Sequence, residues 1–416
     1  MTLPQTEILN SIVARVFHYE DVTLGDPQKS FIVRYRGELL IDSSQAYDQL
    51  AEALRPFEIT PLFRSENGHQ AVVLINGVAH PQPGRTRINL LLFLLTLLCV
   101  AYVGETYAYS GPLPNDLGGL VRTLLLNLWV GWPFAASLLA ILLAHEFGHY
   151  FAGRLHKTAV SLPYFIPLPF PPLGTMGAFI QMKERPRNKR ILFDIGIAGP
   201  LAGLLVAIPV LLLGLSLSPV STVQAGTFTK QSGVPDVCPN TVQVGQTYTC
   251  QEMQEGNSLL YLGLKYITKG QILPAPPSYS GSPLLYWVRY FFTGHPFPIG
   301  GKDVMIHPVA LAGWAGLLVT FLNLIPAGQL DGGHVLFSVF GKRVNLIWPV
   351  ILVATILLGF FWTGWWLWTA IIFFLGRSHA EPLDEITQLD ARRKALAVLM
   401  LVIFLLVLTP VPLTVF

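Results

Sequence analysis

Residues 132–155 read WPFAASLLAILLAHEFGHYFAGRL, an apolar run that ends in the motif His145-Glu146-Phe147-Gly148-His149. About 20 apolar residues are enough for a helix to cross a bilayer. Positions four apart share one face of a helix, so the two imidazoles point the same way and Glu146 stands beside them. The stretch therefore predicts a membrane helix that carries two metal-binding histidines and a neighbouring carboxylate.

The composition is that of a membrane protein. Of the 416 residues, 52% are hydrophobic and 12% are charged, whereas a soluble domain carries about 25% charged residues. The net charge of +3 is too small to indicate a nucleic-acid partner, so we expect a lipid bilayer and no nucleic acid around the chain. Cys99, Cys238 and Cys250 make neither a disulfide scaffold nor a thiolate zinc site, and the last two are either a disulfide or two free thiols.

Residues 1–84 precede the first long apolar run and read as a small soluble α/β domain. Two strands and a helix are predicted there: Phe31–Tyr35, Ala71–Ile75 and Ser43–Leu54, the helix with Ser43 or Ser44 as its N-cap. Because the histidines of this domain are isolated and form no catalytic cluster, we expect a regulatory or substrate-presenting role.

Residues 85–416 alternate apolar runs with polar loops. Judged against about 20 residues per crossing, seven runs are candidate spans: 88–107, 132–155, 194–217, 304–325, 344–361, 364–376 and 395–414. The fifth and sixth are short and could form one kinked helix. The predicted fold class is therefore an all-α polytopic membrane protein with six or seven transmembrane helices, an extracytosolic insertion at about 218–303 and the small N-terminal α/β domain.

Basic residues orient these spans. The segment 154–190 carries seven lysines and arginines but only one acidic residue, so it should face the cytosol. With seven spans the N-terminal domain lies on the same side. A bacterial inner membrane and a thylakoid-like membrane both fit this multi-pass arrangement, and the oligomeric state stays open.

A third metal ligand is required, because zinc in a hydrolase usually takes three protein ligands. Between Asp303 and Asp331 the only charged or titratable residue is His307. Pro326 and Gly328 should break the helix just before Asp331, and irregular backbone within a membrane must be buried in protein or line a watery cavity. Asp331 can then reach a metal on the neighbouring helix.

The two motifs together resemble the site-2 protease family of intramembrane zinc metalloproteases. That family pairs His-Glu-x-x-His on one membrane helix with Asn-x-x-Pro-x-x-x-Leu-Asp-Gly on a later one, which corresponds here to Asn323–Gly332. The likeness covers roughly residues 85–416 and is similar in particular to the plant-chloroplast and cyanobacterial branch. It implies one Zn²⁺ per chain bound by His145, His149 and Asp331. Many members carry proline where this chain has Gly328, which leaves the loop shape open.

The resemblance also implies an activity: hydrolysis of peptide bonds in or near the transmembrane helices of single-span membrane proteins, as in regulated intramembrane proteolysis. Zinc brings the pKa of bound water toward about 7, and Glu146 would accept the proton. Asn323 would either stabilise the oxyanion or serve as a helix-packing amide. A catalytically silent relative that binds membrane proteins and a membrane metal carrier are the alternatives, disfavoured because Glu146 stands where a base is required.

A substrate helix must be unwound before it can be cut, because its peptide groups are already hydrogen-bonded. The segment Gly174-Thr175-Met176-Gly177-Ala178-Phe179 follows a proline-rich run and reads as part of a re-entrant β-hairpin. Its open edge would bind the substrate by strand addition. The alternative is a packed re-entrant loop without substrate contact.

Three further predictions concern packing. Gly199 and Gly203 have the spacing of small-residue helix contacts and should seat their span against the zinc helix. Asp194 is interpreted as an N-terminal cap of that span. Leu259–Ile267 and Leu284–Phe292 resemble interfacial helices that lie on the membrane.

Overall fold

A computed structural model describes residues 6–25, 31–66, 68–112, 114, 116–222, 226–229, 247–250, 253–276, 278–279, 281–294, 301–376 and 380–415. Cys99 is a free thiol. Cys238, and with it the question of a bond to Cys250, lies outside the described residues.

The N-terminal part is a four-stranded antiparallel sheet with two helices. Its elements in chain order are α1 (Thr6–Val13), β1 (Phe17–Leu24), β2 (Val33–Leu39), α2 (Ser43–Leu54), β3 (Ile59–Glu66) and β4 (His69–Asn76). The strand order is β1-β2-β4-β3. Both helices share one hydrophobic cluster with the sheet, in which Val13, Tyr35, Leu50 and Phe63 are buried. The sequence predicted α2 and parts of β2 and β4, but not β1 or β3.

The predicted N-cap of α2, Ser43 or Ser44, is wrong. The cap is Asp42, whose side chain accepts a hydrogen bond from the Ser44 amide at 3.0 Å. The Ser43 hydroxyl instead donates to Asp384 Oδ2 at 2.7 Å. A contact with a residue far along the chain thus takes the hydroxyl that local sequence would assign to the cap.

The rest of the chain is mostly helical. Its elements are α3 (Thr86–Ala108), α4 (Leu117–Asn127), α5 (Trp132–Leu155), β5 (Tyr164–Pro167), β6 (Thr175–Phe179), α6 (Lys189–Leu217), β7 (Val220–Thr222), β8 (Gly226–Thr229), β9 (Thr247–Cys250), β10 (Met253–Glu255), α7 (Leu259–Lys269), α8 (Pro283–Thr293), β11 (Lys302–Val304), α9 (Pro308–Asn323), α10 (Asp331–Phe340), α11 (Trp348–Gly359), α12 (Gly364–Leu375), α13 (Ala391–Val407) and β12 (Leu413–Val415).

Within the described chain, three helical stretches are long and apolar enough to cross a membrane: Thr86–Ala108, Leu117–Leu155 and Lys189–Leu217. A fourth arises if Asp331–Leu346 and Trp348–Gly359, bent by 82°, form one broken span. The helix α9 has 16 residues, about 24 Å at ~1.5 Å per residue, which is short of a bilayer core of about 30 Å. Length and composition therefore support three or four spans, fewer than the six or seven predicted.

The centre of the molecule is formed by α5, α6 and α9. The side chains of Leu138, Leu211, Trp314 and Phe321 are buried in one cluster there. Glycine permits the closest contact: a Cβ added to Gly214 of α6 would lie 2.1 Å from the Ala310 backbone nitrogen of α9. The helices α6 and α9 thus pack backbone to backbone at this point, as small residues allow in membrane helix pairs.

The interpretation of Asp194 as a cap is also wrong. The helix α6 begins five residues earlier and is capped by Asn188, whose side chain accepts from the Ile191 amide at 3.0 Å. Asp194 accepts instead from Arg393 Nη2 at 2.6 Å and lies 2.9 Å from His156 Nε2. The carboxylate therefore connects α6 to α13 and to the end of α5.

The N-terminal sheet is attached to the helical part through the edge of β3. The Phe63 amide donates to the Leu383 carbonyl at 2.9 Å, and the Glu385 amide donates back to the Phe63 carbonyl at 3.1 Å. The other side of the same segment bonds to the chain before α6, since the Asp384 amide donates to the Arg187 carbonyl at 2.7 Å. The segment 383–385 thus connects the two parts through isolated β-bridges of Asp384 to Phe63 and to Asn188.

The predicted helices of the insertion are present as α7 and α8. The helix α7 contributes Lys265 to a buried ionic cluster, in which Lys265 Nζ lies 2.9 Å from Glu255 Oε1 and 3.5 Å from Asp303 Oδ1. Lys265 is fully buried. The cluster joins α7 to β10 and β11.

Candidate metal centre

Two imidazoles of α5 face one point. His145 and His149 are one helical turn apart and buried, and their Nε2 atoms are 3.2 Å apart. The long apolar face of α5 packs on α6 and α9. The helical turn that bears the two histidines is therefore buried in the protein interior.

Asp331 completes the group. As the first residue of α10, it places Oδ2 3.3 Å from His145 Nε2 and 3.3 Å from His149 Nε2. Of the residues described, only these three form a group of three or more histidine, cysteine or acidic side chains able to hold one metal ion. Their ligand atoms all lie within 4.8 Å of one another.

The loop between α9 and α10 depends on glycine. A Cβ on Gly332 would lie 2.0 Å from the Leu324 carbonyl oxygen, and one on Gly333 would lie 2.4 Å from that of Gly328. Gly328 itself has φ of +53°, which proline cannot adopt. The loop shape that holds Asp331 is therefore one that proline at position 328 would not allow.

A backbone carbonyl fixes the orientation of His149. Its Nδ1 lies 2.7 Å from the carbonyl oxygen of Ile195 on α6. A carbonyl only accepts, so Nδ1 carries a proton, and in the neutral ring the lone pair is then on Nε2, which faces Asp331.

Two glycines of α6 make room for these histidines. A Cβ on Gly199 would lie 2.0 Å from His149 Nε2, and one on Gly203 would lie 3.2 Å from His145 Nδ1. The predicted seating of α6 against α5 through this pair is confirmed, with Gly199 against the ligand atom itself.

Glu146 and Asn323 border the same point. Glu146 is 3% exposed, and its Oε2 has no hydrogen-bond partner within the described part of the chain. The main chain of Ile180 lies near this carboxylate. Asn323 Nδ2 lies 3.3 Å from His145 Nε2. A buried carboxylate and an amide thus flank the three clustered ligand atoms.

The segment 174–179 forms a hairpin with the chain before it. Phe165 pairs with Ala178 and Pro167 with Thr175 in antiparallel register. Gly174 and Gly177 have φ of +76° and +101°, which glycine adopts readily. Within the described residues β6 pairs with β5 alone, and Met176 and Phe179 are 58% and 50% exposed. The far edge of β6 is open, and it leads through Ile180 to Glu146.

Sequence reasoning did not identify two contributors to this centre. The Ile195 carbonyl carries no side-chain signal, because any residue could supply it. The Ile180 contact depends on how the hairpin folds back over α5. No sequence pattern could have revealed either.

Comparison with known proteins gives one family and several relatives. The family model described as peptidase family M50 matches residues 133–359. The chain is 31% identical over 357 residues to the probable zinc metalloprotease EGY1, chloroplastic, of Oryza sativa subsp. japonica, covering 80% of this chain and 52% of that protein. It is 31% identical to EGY1 of Arabidopsis thaliana, covering 67% and 43%, and 28% identical to the probable zinc metalloprotease EGY2 of that plant, covering 68% and 42%. The chain thus spans about half the length of these relatives.

Proposed function

The chain belongs to peptidase family M50, the site-2 protease family, and on that premise we propose that it is an intramembrane zinc metalloprotease. The observation that carries the proposal is the buried group of His145, His149 and Asp331 beside the unpartnered Oε2 of Glu146. The relatives' names, which describe zinc metalloproteases, support the same activity.

The three ligand atoms fit one Zn²⁺. Two imidazole nitrogens and one carboxylate oxygen are the donor types of catalytic zinc sites, which leave a fourth position open. Ligand atoms that share a tetrahedral zinc at about 2.0–2.1 Å stand roughly 3.3–3.4 Å from one another. The three separations here are 3.2, 3.3 and 3.3 Å. We therefore assign His145, His149 and Asp331 as ligands of one ion per chain.

When bound, zinc supplies a Lewis acid that polarises a carbonyl oxygen and makes water acidic near neutral pH. Glu146 accepts the proton of the attacking water and then gives it to the departing amine. The amide of Asn323 donates a hydrogen bond to the oxygen of the scissile carbonyl as negative charge develops there. The burial of Glu146 keeps bulk water away from these transfers.

The proposed substrates are single-span membrane proteins. An unwound substrate strand pairs with the open edge of Gly174, Thr175, Met176, Gly177, Ala178 and Phe179 and so brings a peptide bond toward Glu146. In this proposal the β5–β6 hairpin is re-entrant, and the lipid bilayer encloses a multi-pass protein with six or seven spans.

The proposed location is a bacterial inner membrane or a thylakoid-like membrane, with residues 1–84 on the cytosolic side as a regulatory or substrate-presenting domain. The chloroplastic relatives support a membrane of this kind. The basic loops support the orientation.

Incubation of the purified chain with a library of single-span peptides, with and without a chelator, tests the proposal. We expect cleavage that stops on chelation and returns with zinc. Glu146→Gln should abolish cleavage while retaining about one zinc per chain. Cleavage that survives in Glu146→Gln, or a preparation with no zinc, would contradict the assignment; zinc flux across vesicles would indicate a metal carrier instead.

A further inference from the structure

The β5–β6 hairpin contains an irregularity in its pairing. Phe165 pairs with Ala178 and Pro167 pairs with Thr175, so between these pairs one residue of β5 lies opposite two residues of β6. An extra residue in one strand is a β-bulge, which bends that strand and increases its twist. The bulge therefore sets the direction in which β6 continues.

The hydroxyl of Thr175 connects the two strands at this bulge. It accepts a hydrogen bond from the Gly177 amide at 3.0 Å and donates one to the Ile166 carbonyl at 2.8 Å. The Gly177 carbonyl lies 3.2 Å away as a second acceptor. Thr175 is buried, so these bonds are shielded from exchange with bulk water. One side chain thus stabilises the extra residue of β6 and its contact with β5.

The conformation of Gly177 depends on the same contact. Its φ is +101°, which glycine adopts readily, and a Cβ at this position would meet nothing within 4 Å. The backbone conformation therefore requires glycine here, whereas packing does not. The hydrogen bond from the Gly177 amide to Thr175 favours this conformation, and the space beside Gly177 is open.

The other parts of the hairpin are held on α3. Asn89 Nδ2 donates to the carbonyls of Leu162 at 3.0 Å and Pro163 at 2.9 Å, just before β5. The Tyr107 hydroxyl donates to the Pro172 carbonyl at 2.9 Å, in the turn before β6. Because β5 and the turn are anchored in this way, the position of the last residues of β6 depends on the bulge.

These last residues lead to the metal centre. Ala178 and Phe179 end β6, and the main chain of Ile180 lies near Glu146. One strand residue spans about 3.3 Å. If the bulge straightened, the residues after it would slip by one position relative to β5 and to Glu146. A slip of this size corresponds to one peptide bond of a substrate strand paired with β6.

We propose that Thr175 is a positioning residue that determines which peptide bond of a bound substrate reaches Glu146. The proposal rests on the proposed function, in which the substrate pairs with the open edge of β6. By stabilising the bulge, the Thr175 hydroxyl fixes the register of that edge, and the register of a paired strand follows from it. Thr175 thus acts through the main chain of Ile166 and Gly177.

Capture of a bound peptide tests this inference. The full chain carries Glu146→Gln in nanodiscs, so that the peptide is not consumed, and a photoreactive residue replaces the exposed Met176. The probe is a synthetic single-span peptide with an apolar segment of about 20 residues. Mass spectrometry identifies the peptide residue that is captured. With Thr175 present, we expect capture to be concentrated on one peptide residue.

Removal of the hydroxyl should spread this capture. Thr175→Val nearly keeps the shape of the side chain and should raise the share of capture at the adjacent peptide residues about tenfold, equivalent to ~1.4 kcal/mol, the scale of one lost hydrogen bond. Thr175→Ala needs less space and should give the same shift, which decides the matter if valine is not accommodated. Thr175→Ser keeps the hydroxyl and should restore the original position.

The matched control is Thr268→Val in α7. This change also removes a hydroxyl that donates to a main-chain carbonyl, that of Leu264 at 2.9 Å, but α7 is not part of the hairpin. It should leave the captured position unchanged. In the chain that retains Glu146, Thr175→Val should raise the share of cuts at the adjacent peptide bond by a similar factor, read from the masses of the products.

A role of Thr175 in stability alone predicts a different result. Thr175→Val and Thr175→Ala would then lower the total capture without moving its position, and this outcome would overturn the inference. Capture that is absent or spread over many residues when Thr175 is present, or that Thr175→Ser does not restore, would do the same. Because capture needs no hydrolysis, failure of the unmodified chain to cut the peptide would count against the proposed function alone.

Discussion

Replacing Gly199 by alanine tests the metal centre through a residue that has no functional side chain. A Cβ at this position would lie 2.0 Å from His149 Nε2, whereas ordinary contact begins near 3.4 Å. Either α6 or the imidazole must therefore move by about 1.4 Å. Moving the ring also strains its 2.7 Å hydrogen bond to the Ile195 carbonyl, which belongs to the same helix as Gly199.

The displacement is large on the scale of a metal bond. Ligand distances tolerate only about ±0.2 Å, so His149 cannot remain a ligand after a shift of this size. Disturbing even the group behind a ligand weakens metal binding by about 10–100-fold. We expect at least about 100-fold weaker zinc binding, or ~2.7 kcal/mol, and a loss of about 1–3 kcal/mol of stability from overpacking.

The assay is zinc affinity by chelator competition, together with zinc content of the purified protein. Gly203→Ala is the matched control, because its Cβ would lie 3.2 Å from His145 Nδ1 and a shift of a few tenths of an ångström relieves the contact. Gly263→Ala, where a Cβ would meet nothing within 4 Å, controls for the substitution itself. If Gly199→Ala retained the zinc affinity of these two variants, the assignment of His149 as a ligand would be wrong.

Three further predictions concern residues outside the metal centre. Asp384→Ala removes the acceptor of the Ser43 hydroxyl and should cost about 1–3 kcal/mol, with faster proteolysis of the connection at 77–85; unchanged proteolysis would contradict it. Lys265→Met leaves two buried carboxylates without their cation and should cost about 3–5 kcal/mol, read as a lower unfolding temperature; an unchanged temperature would show the cluster to be unimportant. Glu105→Met should raise that temperature by removing a fully buried carboxylate whose oxygens have no hydrogen-bond partner in the described chain, worth about 1–3 kcal/mol; a lower temperature would reveal a partner.

The Lys265 contribution also has a pH dependence. Burial alone would lower the pKa of Lys265, but the neighbouring carboxylates of Asp303 and Glu255 outweigh it and leave the pKa raised. A raised lysine pKa gives stability that is complete below about pH 10 and is lost only as the pH rises through the folded value. The Lys265→Met difference should therefore be constant from neutral pH to mildly alkaline pH.

Local spacing explains what the sequence could predict. The four-residue separation of His145 and His149 fixes their common face in any helix, and a lone Asp331 after a helix-breaking segment has few other uses inside a membrane. The helices α2, α7 and α8 followed from periodicity in the same way. These features depend on neighbours a few residues away.

Contacts between residues far apart in the chain explain what could not be predicted from the sequence. Ser43 serves as a tertiary donor because Asp384 lies beside it, and Asp194 pairs with Arg393 and not with its own helix end. The edge of β3 is covered by residues 383–385. The burial of this strand therefore depends on that contact and not on an alternation of apolar and polar residues in its own sequence. Length and composition support only three or four of the six or seven predicted spans in the described chain, because several apolar runs of the C-terminal half fold as helices shorter than about 20 residues.

The attachment of β3 to residues 383–385 orders events during synthesis. Ser43 and Asp384 are 341 residues apart, and a ribosome that adds about 5–20 residues per second needs roughly 17–70 s to travel between them. The outer edge of β3 is therefore uncovered during this time, while the membrane helices are still being made. Pro61 lies two residues before Phe63 on this edge of β3 and has no amide hydrogen to donate. It therefore disfavours pairing of the edge with other nascent chains until residues 383–385 have been synthesised.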